Sequence, residues 1–157
     1  AYGMSALFIC EGLVANQREN AHHVAIDPYQ SKGFKNCGMQ LLEEAGVGEL
    51  IEIHEEESQI LLPRFLSEGR SFEFAFVDLF ERVFLDLIYL GRLVQQGGVI
   101  FVDDYQLPAI ARAVSFCVKN LGWVFEEVSP ADELHQWAVL RTPSTAMPRS
   151  FRDFVDF

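Results

Sequence analysis

Gly97-Gly98-Val99-Ile100-Phe101-Val102-Asp103-Asp104 is the stretch on which the fold turns. Two helix-stopping glycines, four apolar residues and an acidic pair spell a short buried strand with carboxylates at its C-terminal end. A run apolar at every position is buried on both faces, as in parallel sheets covered by helices. The pattern recurs upstream: residues 72–77 end in Asp78, and residues 23–26 end in Asp27 and Pro28.

Helical periodicity fills the intervals between these runs. Residues 5–15 follow Gly3 as a turn and Ser5 as a cap candidate, and residues 38–45 are closed by Gly46 and Gly48. Residues 59–67 follow Ser58 as a cap candidate, and helices are also expected over 82–94 and 109–121. Residues 49–54 alternate as a strand. Between 123–128 and 136–141 lie Pro130 and Asp132, with no room for a helix, so these two runs should pair antiparallel. The order predicts an α/β domain whose mostly parallel sheet carries helices on both faces and an antiparallel final strand. Because the chain opens directly into a helix, the first strand is expected upstream of Ala1. Residues 1–142 form the expected domain and 143–157 an extension, whose Phe151, Phe154, Val155 and Phe157 should dock on the domain or on a second copy as a homodimer.

At 157 residues and 50% hydrophobic content the chain can bury one sizeable core. A net charge of −11 argues against a protein that tracks nucleic-acid phosphates, and a small-molecule or protein substrate is expected instead. Cys10, Cys37 and Cys117 are odd in number and far apart, which fits neither a disulfide framework nor a zinc cluster and suits a reducing cytoplasm. No apolar run approaches the ~20 residues needed to cross a membrane.

In open parallel sheets, ligands bind beyond the carboxyl ends of the strands, so the acids there carry the interest. Asp27 follows Gly3 by roughly the 20-residue interval at which dinucleotide folds place a carboxylate for a ribose diol. A strand-end Asp is equally at home as a turn residue. Asp78, Asp103 and Asp104 come from two strand ends, and their mutual repulsion calls for a divalent cation, a proton or full solvation. Oxygen ligands would select magnesium, manganese or calcium over zinc, whereas Asp103 or Asp104 can instead cap the helix after Pro108. Of the four histidines only His54 lies at the expected ligand end. Glu55-Glu56-Glu57 reads as a solvated run that could bring Glu57 or Ser58 to a ligand's edge, and Phe72, Phe74 and Phe76 read as sheet core.

Taken together these motifs resemble the class I S-adenosylmethionine-dependent methyltransferases, in the small branch near the catechol and caffeoyl O-methyltransferases. Gly97 to Asp104 is similar to that family's turn, fifth strand and acidic pair, and Phe76-Val77-Asp78 resembles its fourth motif. Ala25-Ile26-Asp27-Pro28 resembles the second, whose acid holds the ribose hydroxyls. Gly3-Met4-Ser5 resembles the end of the first, without its acid and first glycine. The resemblance implies a Rossmann-like fold and methyl transfer to a small molecule, at oxygen. Cofactor contacts would come from Gly3, Ser5, Asp27, Pro28, Glu57, Ser58 and Asp78, with Asp78 and Asp103 catalytic. In metal-dependent relatives the positions of Asp78, Asp103 and Asp104 bind magnesium or another divalent cation. One departure is that relatives follow the strand-four acid with Gly-X-His, whereas Asp78 runs into Leu79-Phe80-Glu81. Two alternatives remain: an inactive S-adenosylmethionine-binding module, and a nicotinamide-dependent oxidoreductase on the same sheet topology.

Overall fold

The computed structural model describes residues 2–17, 19–78, 81–145 and 150–157. Leu79 and Phe80, which carry the departure after Asp78, lie outside the described residues, as do Ala1 and Pro148. Helices and strands alternate as expected: α1 (Met4–Asn16), β1 (His23–Ile26), α2 (Cys37–Glu44), β2 (Ile51–His54), α3 (Ser58–Ser67), β3 (Phe72–Val77), α4 (Val83–Leu93), β4 (Val94–Val102), α5 (Pro108–Leu121), β5 (Val124–Val128) and β6 (Ala138–Arg141). The chain divides into two units, Ala1–Ile60 and Leu61–Phe157.

In the first unit β1 and β2 pair in parallel, with His23 opposite Ile51 and Ile26 opposite His54. Cys10 of α1, Leu42 of α2 and Val47 form the buried centre, and Leu7, Ile51 and Ile53 pack against it. Gly3, at φ 81°, turns the chain into α1, and no side chain caps that helix. Ser5 therefore lies inside the first turn rather than ahead of it. Asn36 precedes α2 in a left-handed conformation, also without a side-chain cap.

The second unit holds a sheet ordered β3-β4-β6-β5, in which β3 and β4 are parallel and the two remaining pairs are antiparallel. One sheet face, with Val77, Ile100, Val102 and Leu140, buries itself against Leu87 of α4 and Ile110, Val114 and Cys117 of α5. Helices thus supply the apolar cover that an all-apolar strand needs. On strands β3 and β4 and just before β6, Phe76, Phe101 and Trp137 stack in a ladder with centroids 5.4 Å apart at each step. Phe74, expected in the core, is 44% exposed.

The glycine pair works differently from the sequence expectation. Helix α4 ends because Val94 turns extended, and β4 starts there at once. Phe72 lies opposite Val94 but Phe74 opposite Val99, so residues 95–98 bulge from the ladder. Gly97 sits at φ 73°, and a Cβ on Gly98 would meet Val94 Cγ1 at 2.6 Å and the Glu73 carbonyl at 2.9 Å. The pair builds a bulge, not a helix stop.

The C-terminal residues fold back on α5. Asn120, fully buried, exchanges two hydrogen bonds with the Val155 backbone. Phe116 stacks on Phe154 at 5.9 Å and meets Phe157 edge-on at 4.9 Å. All three cysteines are free; Cys10 and Cys117 are buried and Cys37 is half-buried. Among the described residues no helix is long and apolar enough to cross a membrane.

Candidate functional site

Asp27 sits where β1 ends, its N–H bonded to the His54 carbonyl at 2.9 Å, and Pro28 begins a tight turn that brings the next residues back to it. Its Oδ1 accepts the Tyr29 N–H at 3.0 Å and its Oδ2 accepts the Gln30 side-chain amide at 2.8 Å. Burial raises the pKa of this carboxyl, and the Tyr29 and Gln30 hydrogen bonds are among the interactions that bring it below its ordinary value. Asp27 is therefore an oriented carboxylate at a strand end, suited to accept from a pair of hydroxyls.

Gly3, from the opening turn, approaches the start of α2 closely: a Cβ on it would meet Gly38 Cα at 2.9 Å and the Gly38 carbonyl at 3.0 Å. Gln30 donates to Asp27 and accepts the Gly38 N–H at 3.1 Å, so a single side chain links the acid to that glycine contact. At the end of β2, Glu55 accepts both the N–H and hydroxyl of Ser31. Glu57 accepts the Gln59 amide, and Ser58, the first residue of α3, has its buried hydroxyl without a hydrogen-bond partner. Ser58 does not cap α3, and an orphaned hydroxyl beside a strand end fits a polar edge supplied by a ligand. His54 instead spends its Nε2 on Glu52, its neighbour on the same strand face, with His22 3.6 Å from that carboxylate.

The second unit brings its three acids together at the ends of β3 and β4. The Asp103 N–H bonds the Val77 carbonyl at 2.9 Å, and Asp103 Oδ1 accepts the Asp104 N–H at 2.9 Å. Asp78 is exposed, yet its pKa is raised, by partial desolvation first and then by the charges of Asp103 and Asp104. Asp104 is left-handed at φ 54°, and its Oδ1 accepts from Gln106 at 3.0 Å and lies 3.9 Å from His135 Nδ1. Gln106 in turn accepts the Gln136 N–H at 2.8 Å, which ties this loop to the entry of β6.

The expected metal site is not among these residues. No group of three or more His, Cys, Asp or Glu side chains among the described residues is arranged to hold a metal ion. Asp103 and Asp104 each have one oxygen hydrogen-bonded within their own loop. Neither acid serves as the cap of α5: Leu107 holds that position, with no side-chain hydrogen bond and Pro108 next in line.

A cavity of about 400 Å³ opens between α4, α5 and the tail, lined by Val94, Asn120, Trp123 and Phe154. Val94 begins β4, so this cavity lies at the opposite strand end from Asp103 and apart from the acids.

Residues 1–105 match the family model described as a methyltransferase domain. The chain belongs to this methyltransferase family. No curated protein matches it. Among solved structures, it is similar to the O-methyltransferase TomG from Streptomyces achromogenes, which is involved in tomaymycin synthesis and was solved with SAM. The identity is 16% and the TM-score 0.61, over 86% of this chain and 79% of that one. It is likewise similar to an O-methyltransferase from Bacillus cereus solved with SAH, at 11% identity and TM-score 0.67, over 90% and 83% of the two chains. The class I, Rossmann-like methyltransferase fold read from the strand-end acids is thereby established, and the family match favours methyl transfer over nicotinamide chemistry.

Sequence reasoning placed Gly3, Asp27, Asp78 and Asp103 at strand or helix ends, and the structure finds them there. It missed Gln30 and Gln106, the two amides that fasten the acid-bearing loops. Their only signal is position, an amide two or three residues beyond a strand-end Asp, where a side chain can reach back to the carboxylate.

Proposed function

We propose that this methyltransferase uses S-adenosylmethionine to methylate an oxygen of a small-molecule acceptor. The observation that carries the reading is the Asp27 carboxylate, held oriented at the end of β1 in the unit that also carries the glycine turn at Gly3. Gly3 and the first turn of α1, including Ser5, line the approach to the amino-acid portion, because a left-handed glycine leaves backbone N–H groups open without a side chain in the way. Asp27 accepts the ribose hydroxyls, with Pro28 fixing the turn, and Ser58 and Glu57 meet the adenine edge.

S-adenosylmethionine supplies a methyl group activated by a sulfonium. Asp78 and Asp103 would hold the acceptor: the raised Asp78 carboxyl would accept a hydrogen bond from the acceptor hydroxyl and take its proton as the methyl group exchanges its bond to sulfur for one to oxygen, the donor leaving as a neutral thioether. Asp103, its Oδ1 committed to Asp104, orients the acceptor through its remaining oxygen. No step is routed through a metal, because no group of three or more ligating side chains among the described residues is arranged to hold one. Residues 1–142 form the catalytic domain in this reading, and 143–157 an extension anchored on α5.

Calorimetric titration with S-adenosylmethionine and with NADH, each with and without magnesium, tests the reading. Binding of the methyl donor alone, weakened tenfold or more in Asp27→Asn and indifferent to magnesium, supports it. Binding of NADH would overturn it. Binding of the donor without methylation of any phenolic or catechol acceptor would leave an inactive binding module.

A further inference from the structure

We propose that Gln30 is a positioning residue of the cofactor site, its buried carboxamide fastening the Asp27 carboxylate to the start of α2 where Gly38 seats Gly3. This rests on the reading of Asp27 as the ribose acceptor.

The geometry is unusually complete for a polar side chain outside any helix or strand. Gln30 is 4% exposed, and both ends of its amide are used. Nε2 donates to Asp27 Oδ2 at 2.8 Å, and Oε1 accepts the Gly38 N–H at 3.1 Å. Its backbone is held too, since the Asn36 N–H bonds the Gln30 carbonyl at 2.8 Å. A buried amide oriented at both ends cannot rotate without leaving Asp27 or Gly38 unsatisfied, and that fixes the carboxylate plane. Asp27 Oδ2 receives this donor from inside the fold.

The link extends to the glycine turn. A Cβ on Gly3 would fall 2.9 Å from Gly38 Cα, so the backbone position that Gln30 holds is the one against which the opening turn rests. One side chain thus ties together the acid and the turn before any ligand arrives, which lowers the ordering cost of binding. Among the described residues, the charged side chains acting at this turn include Glu55, held by Ser31 and coupled to Asp27 through space, and Lys32. Neither is hydrogen-bonded to the Gln30 amide.

The role separates from simple packing in two measurements on the full chain. The first follows the Asp27 carboxyl by carbon-detected NMR titration without ligand, in the parent protein, in Gln30→Met and in Gln30→Glu. Gln30→Met keeps the volume and removes both hydrogen bonds; Gln30→Glu keeps an acceptor for Gly38 and removes the donor to Asp27. The Asp27 pKa should rise in both variants, more in Gln30→Glu, where a second carboxylate adds like charge. The second compares affinity for 5′-methylthioadenosine and for its 2′,3′-dideoxy form. The variants should lose roughly tenfold toward the hydroxylated ligand and little toward the dideoxy one.

An unmoved Asp27 titration in folded Gln30→Met and Gln30→Glu overturns the proposal whatever the cofactor is. Equal loss toward both nucleosides also overturns it, by showing that Gln30 only supports the fold. If the parent protein binds neither nucleoside, the cofactor reading fails on its own account, and the titration still decides whether Gln30 sets the carboxylate.

Discussion

The Asn120 side chain, fully buried on α5, donates to the Val155 carbonyl at 3.0 Å and accepts the Val155 N–H at 2.7 Å. An amide that returns both bonds to one residue imitates a strand neighbour, so a helix holds the tail as a sheet would. Phe154 and Phe157, on either side of Val155 in the chain, make the two aromatic contacts with Phe116.

Asn120→Ala should cost about 2–4 kcal/mol in denaturant unfolding, since both Val155 backbone groups lose their partner and the aromatic clasp loosens. Phe116→Leu should cost less, about 1–2 kcal/mol, because the amide clamp survives. Similar losses from the two changes would mean that the rings, not the amide, hold the tail.

Gly98→Ala is expected to destabilise the protein by about 2 kcal/mol or more. The new Cβ would fall 2.6 Å from Val94 Cγ1 and 2.9 Å from the Gln95 and Glu73 carbonyls, and two of those three atoms are backbone. Gly46→Ala is the converse case: Gly46 is left-handed at φ 73°, as Gly98 is not, but a Cβ there meets nothing within 4 Å, so it should cost about 1 kcal/mol. Thermal unfolding of both variants separates steric conflict from backbone conformation.

His23 gives the fold a weakness toward acid. Burial first, and the charge of His22 second, lower its pKa from 6.5 to about 4. The folded form therefore resists protonation that the unfolded chain accepts. Its contribution is complete above pH 6.5 and is lost as pH falls from there toward 4, by at most about 3 kcal/mol. His23→Val should flatten the stability curve across that window; an unchanged slope would assign the loss to other groups.

Asp78 works in the opposite sense, because its folded pKa is raised. Ionising it costs the folded state, so stability falls as pH rises from the unfolded value through the folded one. Asp78→Asn should gain less than about 1 kcal/mol at pH 7, a small figure because solvent screens an exposed group, and nothing at pH 3. In the proposed mechanism the same change should lower methyl transfer about 100-fold. A gain in stability joined to a loss of activity would mark Asp78 as a group kept for chemistry at the expense of the fold.

Much of the architecture was legible because binary patterning and strand-end acids are local signals. Phe72–Val77 closing on Asp78 and Val99–Val102 closing on Asp103 announce strands by composition alone, although only the second is largely buried. The Gly97-Gly98 pair was misread because a helix stop and a strand bulge demand the same left-handed glycine, and only the register between β3 and β4 tells them apart. Ser58 was misread as a cap because its residue type suits one, while its hydroxyl has no bond in the fold. The expected metal site found no support among the described residues, because three acids in sequence say nothing of how their side chains are arranged. Gln30 was invisible because an amide's worth lies in the two partners it spans, and those are set by the turn after Pro28.

The unequal burial of the three thiols makes the protein chemically addressable. Cys10 and Cys117 are buried and their pKa values are pushed up, that of Cys117 to about 12, so neither offers a thiolate at neutral pH. Cys37, half-buried as the first residue of α2, is left as the position a mild alkylating reagent reaches in the native state. Its neighbour Gly38 is the residue whose N–H Gln30 holds and whose backbone meets Gly3. A fluorophore or nitroxide attached there would need no engineered cysteine, and its spectrum would report directly on the turn that carries Asp27.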